Sequence, residues 1–436
     1  MYIKNISIKN FKTFSESDIE LSKFNVLIGA NAAGKSNFIS VLKFLRDIIE
    51  NDLENAISIQ GGIEFISNLK TSEPKPLFIQ LTVDSTEDPI EFRFQNKKML
   101  EQNHRVEFSI KGWQYELTVD FIKKSSSYKV RSEIIIANGD IIDVTNSKNT
   151  KPDKKKITNQ DIKIIIESGN VEYIFPDDIV WLKEELITPL FSRNKNVKER
   201  ISNKDSYFNS PSSMRLMPLS LAIQRFILDI SIYDIDPRLL KKSRSMSGKR
   251  QLEADGSNLA IILTNLQKNR KKREKYLQLV QDFLPFISSF DVLPLEDNSV
   301  ITSLNETYNP KKTIPASLIS DGTLNITALI IPLVFEKKPL IIIEEPERNI
   351  HPSLSNKLVE LMKDVTQRFK KQIIITTHNP EIVRNTGIDN LLLVTRDKNG
   401  FSTIDKPKEN SQIKAFLENN MGLGELYVNN LLEWEK

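Results

Sequence analysis

The chain has no cysteine among its 436 residues, which excludes disulfides, thiolate metal sites and cysteine nucleophiles and makes a reducing, cytoplasmic setting the expectation. Histidine is nearly as scarce, at three, so each one is worth placing. Long apolar runs are missing too. The longest, Ala328 to Phe335, falls far short of the roughly 20 residues a spanning helix needs, so no insertion into a membrane is expected. The opening MYIKNISIKNF alternates apolar and polar residues; it lacks the apolar block of a secretory signal and reads as a strand. Charge of one sign is not in excess either. There are 61 Lys and Arg against 57 Asp and Glu, a net charge of +4 with a pI near 8.8, which leans towards tolerance of polyanions and says no more about partners. No internal repeat is visible, and no heptad pattern lasts three or four repeats, so a long coiled-coil arm is not expected.

What is present is a 39% hydrophobic fraction, enough for two or three units with buried cores. Residues 1–175 carry short alternating segments at Ile3–Ile8, Asp18–Leu21, Phe24–Ile28, Leu77–Val83, Ile90–Phe94, Val106–Ile110, Tyr115–Phe121 and Tyr128–Ile136, the period of strands. One helix interrupts them, because Phe38, Val41, Leu42, Leu45, Ile48 and Ile49 recur at three- and four-residue spacing. Residues 176–312 turn helical, best at Leu219–Ile232, Ser257–Asn269 and Arg273–Leu284, and read as an inserted helical lobe. The charged, Ser- and Gly-rich stretches 147–156 and 241–250 read as loops. From 313 to 436 helices at Thr323–Ile331 and Ser353–Phe369 alternate with apolar strands at Leu340–Ile343, Ile373–Ile375 and Leu391–Val394, the pattern of an α/β sheet covered on both faces.

Four short elements carry chemistry. Gly29-Ala30-Asn31-Ala32-Ala33-Gly34-Lys35-Ser36 fits the eight-residue phosphate loop and sits between an apolar strand and a helix, the context the motif requires. Backbone N–H groups and a helix N-terminus there face a triphosphate, Lys35 reaches its terminal phosphates, and Ser36 offers a hydroxyl to Mg2+. Leu340–Ile343 ends in the carboxylates Glu344 and Glu345. Such a pair is by itself an ordinary solvated turn, but beside a phosphate loop the first can hold a hydrated metal and the second can take the proton of the attacking water. Ile373–Ile375 leads through two threonines to His378, placed to hydrogen-bond a γ-phosphate or that water. Ser320-Asp321-Gly322-Thr323 precedes an apolar helix. Ser320 or Asp321 suits its N-cap, and the exposed N-terminus also suits an anion held by another subunit.

In chain order, phosphate loop, Ser-Asp-Gly-Thr turn, tandem glutamate and strand-end histidine, the four resemble the ATP-binding cassette ATPase heads of the SMC and RecF type, and most of all the AAA-family ATPases related to RecF and to the overcoming-lysogenisation-defect nucleases. IKNFKTF, NVLIGANAAGKSNF, ADGSNLAIIL at 254–263, IIIEEPERNIHP and TTHNP carry the likeness, strongly at the ends of the chain and lightly in the middle. The resemblance implies an ABC-type P-loop α/β head with a mixed sheet core, an N-terminal antiparallel β subdomain and a helical insertion. It implies ATP and Mg2+ as ligands and ATP hydrolysis as the activity. It places Gly29 to Asn37 around the nucleotide, with Asn31 and Lys35 on phosphates, and Lys12 approaching it. Ser36 and Glu344 fall on the metal, Glu345 as the catalytic carboxylate and His378 as the switch histidine. Ser320 and Gly322 fall on the γ-phosphate of a partner's nucleotide, in a head-to-tail homodimer closing over two ATP.

Departures are mild. Ala32 stands where such loops often have Gly, Glu344 replaces Asp, and Asp321 and Thr323 replace Gly and Gln. A metal-shell glutamine has no clear counterpart, although Gln60 is a candidate. The tail after Asn390 has no acidic cluster like that of the larger nuclease relatives, so no nuclease activity within this chain is expected. DNA engagement in repair, or control of a separately encoded nuclease or toxin in antiviral defence, is the expected role. A transporter's nucleotide-binding subunit and a slow ATP switch without DNA are the alternatives.

Overall fold

The computed structural model describes residues 1–432 except 69–74, 96–98, 100, 123–126, 146–152, 160, 180–200, 211, 212, 214–216 and 420. Its residues form two compact units. One comprises 1–22, 36–229 and 395–404, the other 23–35, 230–394 and 405–436.

The first unit is built on antiparallel strands. Asn170–Ile174, Ile162–Glu167, Ser127–Thr145, His104–Ile122, Leu77–Asp84, Tyr2–Phe11 and Phe14–Glu20 are neighbours in that order, and Ser402 pairs in parallel with Phe14. Register follows the apolar alternation. Ile6 faces Leu81 and Ile8 faces Ile79, which in turn face Tyr115 and Leu117, and all six are at most 1% exposed. Each buried aliphatic side chain contributes about 1.5–3 kcal/mol, so a slip of one residue would expose the whole row.

Two pairings differ from the sequence expectation. The segments read as separate strands at Val106–Ile110 and Tyr115–Phe121 are one strand, His104–Ile122, and Tyr128–Ile136 continues to Thr145. The interruption at Gly112 is a bulge, since the register shifts between Ile110 and Gly112. A bulge adds a residue without ending the ladder. Opposite it, a Cβ on Gly139 would lie 2.1 Å from the Ser109 carbonyl oxygen, so only glycine lets these strands approach.

The second unit holds a parallel sheet in the order Leu391–Arg396, Phe24–Ile28, Gln372–Thr376, Leu340–Glu344, Ile230–Tyr233. All five residues of Phe24–Ile28 and of Gln372–Thr376 are buried, and because successive side chains alternate, both faces are covered. Phe24, Val26, Ile341, Ile343, Ile373 and Ile375 share a core with Leu358, Val359, Met362 and Val365 of the helix Ser355–Arg368. That helix is the crossover between two parallel strands. After that helix the buried ammonium of Lys371 donates to the carbonyls of Pro332 at 3.0 Å and Leu333 at 2.8 Å, in the helical turn that precedes Leu340–Glu344.

The stretch 176–312 corrects the expectation of a helical lobe. Helices are present at Met217–Leu228, Leu259–Gln267 and Arg270–Phe283, but Ile230–Tyr233 is a strand rather than the end of the first helix. Ile287–Pro294, Ser299–Glu306 and Asn309–Pro315 form an antiparallel sheet with Arg244–Ser245. The range also divides between the two units at Asp229 and Ile230. Of the two expected loops, 147–152 lies outside the described residues and Asp153–Thr158 is a strand, while 241–250 is irregular apart from the two residues Arg244–Ser245. The architecture is α/β with a parallel core and an antiparallel β subdomain.

Candidate functional site

The parallel strands bring the chemistry-bearing residues of the second unit to their carboxyl ends, where ligands gather in such sheets. Phe24–Ile28 gives way to a loop with φ of 145° at Gly29, 60° at Ala32 and 129° at Gly34. Left-handed residues between right-handed ones turn successive N–H groups towards one concavity. A Cβ on Gly29 would sit 2.1 Å from the Val394 carbonyl oxygen, so the first glycine of the motif is fixed by packing. Lys35, 8% exposed, opens the helix Lys35–Glu50, and its ammonium donates to the carbonyls of Gly29 at 2.8 Å and Ala30 at 3.0 Å. Burial lowers its pKa to about 8, against the opposing pull of Glu345. A loop of inward amides with a cation held over it, and with Asn31 and Ala32 exposed at its tip, fits a polyphosphate.

Leu340–Glu344 delivers the carboxylates. Glu344 is opposite Thr376 in register. Glu345 has φ of 46°, a left-handed conformation costing about 1 kcal/mol outside glycine, and its amide donates to the Thr376 carbonyl at 3.0 Å. The turn carries its side chain to His378, whose Nε2 lies 3.8 Å from Glu345 Oε1. Arg348 steadies the same carboxylate at 3.4 Å while pairing with Asp234 at 2.9 Å. Burial, and then the Lys35 ammonium, lower the His378 pKa, with Glu345 opposing, so the imidazole is neutral near pH 7 and can donate one N–H. Among the described residues no three or more His, Asp and Glu side chains are grouped to hold a metal. A divalent ion at Glu344 would therefore draw on phosphate and water oxygens, the usual habit of Mg2+.

The helix Asp321–Ile330 starts on Ser320, whose hydroxyl accepts from the Thr323 amide at 3.2 Å and donates to its Oγ1 at 2.8 Å. Ser320 is a working N-cap and exposed at once. Asp321 pairs with Lys241 at 2.6 Å. The helix start is fastened to the turn after Glu345. Asn325, 1% exposed, donates to the carbonyls of Arg348 at 2.6 Å and Pro346 at 3.3 Å, and a Cβ on Gly322 would lie 2.3 Å from the Asn349 carbonyl oxygen.

Three of the expected residues belong to the first unit. Ser36 is exposed on the first helical turn and its carbonyl accepts from Ser40 at 2.8 Å. The Asn37 amide donates to the Thr13 hydroxyl at 2.8 Å. Lys12, at φ 48°, carries its ammonium 5.7 Å from the Phe11 ring, with a pKa lowered by burial and by Lys43.

Sequence reading passed over Arg348, Asn325 and Glu347. Asn325 left a signal, a lone amide inside the apolar run that follows Gly322. Glu347 left none beyond its place in IIIEEPERN, because its 8% exposure depends on a strand some thirty positions away.

Residues 1–383 match the family model described as the AAA ATPase domain. An ATP/GTP phosphatase of Helicobacter pylori is 21% identical over 385 residues, covering 87% of this chain and 86% of that protein. Shorter likenesses reach the DNA replication and repair protein RecF of Streptococcus agalactiae, 44% identical over 10% of this chain and 12% of that protein. The endonuclease GajA of Bacillus cereus is 47% identical over 11% of this chain and 8% of that protein. Among solved structures, an SMC head bound to the C-winged helix domain of ScpA aligns over 93% of this chain and 97% of that one at 12% identity, with a TM-score of 0.47.

Proposed function

The chain belongs to the AAA ATPase domain family, and on that premise we propose that it binds magnesium ATP on Gly29–Ser36 and hydrolyses it with Glu345. The observation that carries this is the meeting of Lys35, Glu345 and His378 at the ends of adjacent parallel strands, with His378 3.8 Å from Glu345. Lys35 and the loop amides hold the terminal phosphates. Glu345 accepts the proton of the attacking water, the water oxygen bonds to the terminal phosphorus, and the bond from that phosphorus to the bridging oxygen breaks, leaving ADP and phosphate. Neutral His378 donates an N–H to the terminal phosphate. A magnesium ion on Ser36 and Glu344 would neutralise charge on the phosphate oxygens.

The reading includes a head-to-tail homodimer in which Ser320 and Gly322 meet the partner's γ-phosphate. It rests on an exposed helix start whose N–H groups and dipole favour an anion. Replacing Ser320 with arginine puts a long side chain where the second copy would close. Nucleotide binding by the monomer should be unchanged, while turnover falls by at least about tenfold because each site waits on the other copy. Unchanged turnover in that variant contradicts the composite site.

Coupling to DNA is the favoured role, given the short likenesses to a DNA repair protein and an endonuclease. On the helix Arg270–Phe283, Arg270 pairs with Glu274 at 2.7 Å and Arg273 lies 3.9 Å from Asp291. Lys271, Lys272 and Lys275 are exposed, the last 5.1 Å over the Phe369 ring. Three such contacts to phosphates would weaken duplex binding about fortyfold between about 50 and about 200 mM salt. Charge reversal of all three lysines should abolish the binding; a salt-insensitive affinity, or one untouched by the reversal, rules this surface out.

A further inference from the structure

We infer that Glu347 is a positioning residue that fixes His378 over the reaction centre, acting through Thr377. The inference rests on the hydrolytic reading above. Glu347 lies in the turn after the catalytic carboxylate and is 8% exposed. A carboxyl group there is costly to bury unless it makes bonds that repay its lost hydration. One oxygen is used: the Thr377 hydroxyl donates to Oε1 in a short bond. The other, Oε2, has no hydrogen-bond partner among the described residues. What Glu347 supplies there is the bond to Thr377, beside a hydrogen bond between its carboxylate and the His378 backbone.

Thr377 is where that bond matters. It is fully buried and its amide donates to the Leu27 carbonyl at 3.1 Å, next to the phosphate loop. Its hydroxyl oxygen accepts from the Asn379 amide at 2.9 Å. Asn379 in turn caps the helix Pro380–Thr386, its side chain accepting from the Glu381 amide at 2.8 Å. His378 is thus held between two residues that meet on one hydroxyl, and Glu347 fixes the rotamer of that hydroxyl. Pro346 and Arg348, on either side of Glu347, are held by Asn325. The turn carrying Glu345 and the strand end carrying His378 are therefore joined through the Glu347 carboxylate beside the reacting groups.

The test is a mutant cycle read by steady-state ATP turnover with magnesium ATP, with binding and melting temperature measured on each variant. Glu347→Ala and Thr377→Val should each lower kcat by at least about tenfold with little change in KM, because a histidine displaced by a fraction of an ångström loses its alignment while the phosphate loop is untouched. Glu347→Gln keeps an oxygen acceptor for Thr377 and should retain most of the turnover. In a His378→Ala background, Glu347→Ala should change kcat by less than about twofold, since the two substitutions remove the same effect. A multiplicative loss in that background, or a lowered melting temperature with kcat intact, overturns the assignment. If Glu347→Ala does not fold, the same comparison is read from Thr377→Val. A wild-type protein that neither binds nor turns over magnesium ATP overturns the parent reading and this one together, whereas wild-type turnover with independent losses overturns only this one.

Discussion

Lys35→Ala should abolish the binding of magnesium ATP, with a loss of at least about two orders of magnitude in affinity. On the proposed reading the ammonium would make charge-assisted bonds to two phosphates, each about 1.5–3 kcal/mol, and about 3 kcal/mol in total is roughly a factor of 150. Calorimetric titration measures it, and the melting temperature shows whether the loop has kept its fold without the bonds to Gly29 and Ala30. The wild-type protein offers a second reading of the same group. Burial lowers the Lys35 pKa to about 8, below its ordinary value near 10.5. The folded protein therefore pays for the charged amine below about pH 8, and that cost fades as pH rises towards 10.5. Phosphate binding runs the other way, because it needs the proton. Affinity for ATP should fall as pH rises through 8, by up to about tenfold per unit. Affinity that is flat from pH 7 to 9.5 would place the phosphates away from this amine.

Glu345→Gln separates binding from chemistry. The amide keeps the shape of the carboxylate but loses its charge and its capacity to take a proton, so ATP should still bind while turnover falls by about two to four orders of magnitude. The neighbours sharpen this expectation. Arg348, 3.4 Å from Oε2, and His378, 3.8 Å from Oε1, orient the wild-type side chain, and the single oxygen of the glutamine amide keeps one of the two partners. With hydrolysis blocked and Ser320 intact, the ATP-bound variant should accumulate as a dimer, seen by light scattering with ATP and absent without it. Lost binding with residual turnover would reverse the roles of Lys35 and Glu345.

The parts of the candidate site were legible because each is local. A loop between an apolar strand and a helix, a tandem carboxylate at the end of a four-residue apolar strand and a histidine after another each announce themselves within eight residues. Their convergence is a consequence of parallel pairing, which the covered strands implied without naming neighbours. What was hidden depends on distant pairing. Ile230–Tyr233 continues the apolar character of the preceding helix and becomes a strand only because Leu340–Ile343 lies beside it. The sheet at 287–315 concealed itself otherwise: Ser299, Thr302 and Ser303 are buried polar residues and the first five residues of Asn309–Pro315 are all exposed, so neither strand alternates apolar with polar. The break in alternation between Ile110 and Tyr115 is a bulge at Gly112 and not the end of a strand. Glu347 could not be distinguished from any other charged residue until Thr377 was seen to donate to it.

The central claim is that Lys35 and the carboxylates of Glu344 and Glu345 act on one triphosphate, although about three hundred positions separate them. A crystal structure of the Glu345→Gln protein with magnesium ATP tests it most directly. The account requires the terminal phosphate within hydrogen-bond reach of the Lys35 ammonium, the metal shared by Ser36 and Glu344, and the glutamine amide facing the terminal phosphorus. A triphosphate bound away from Gly29–Ser36, or one whose metal lies remote from Glu344, would contradict it.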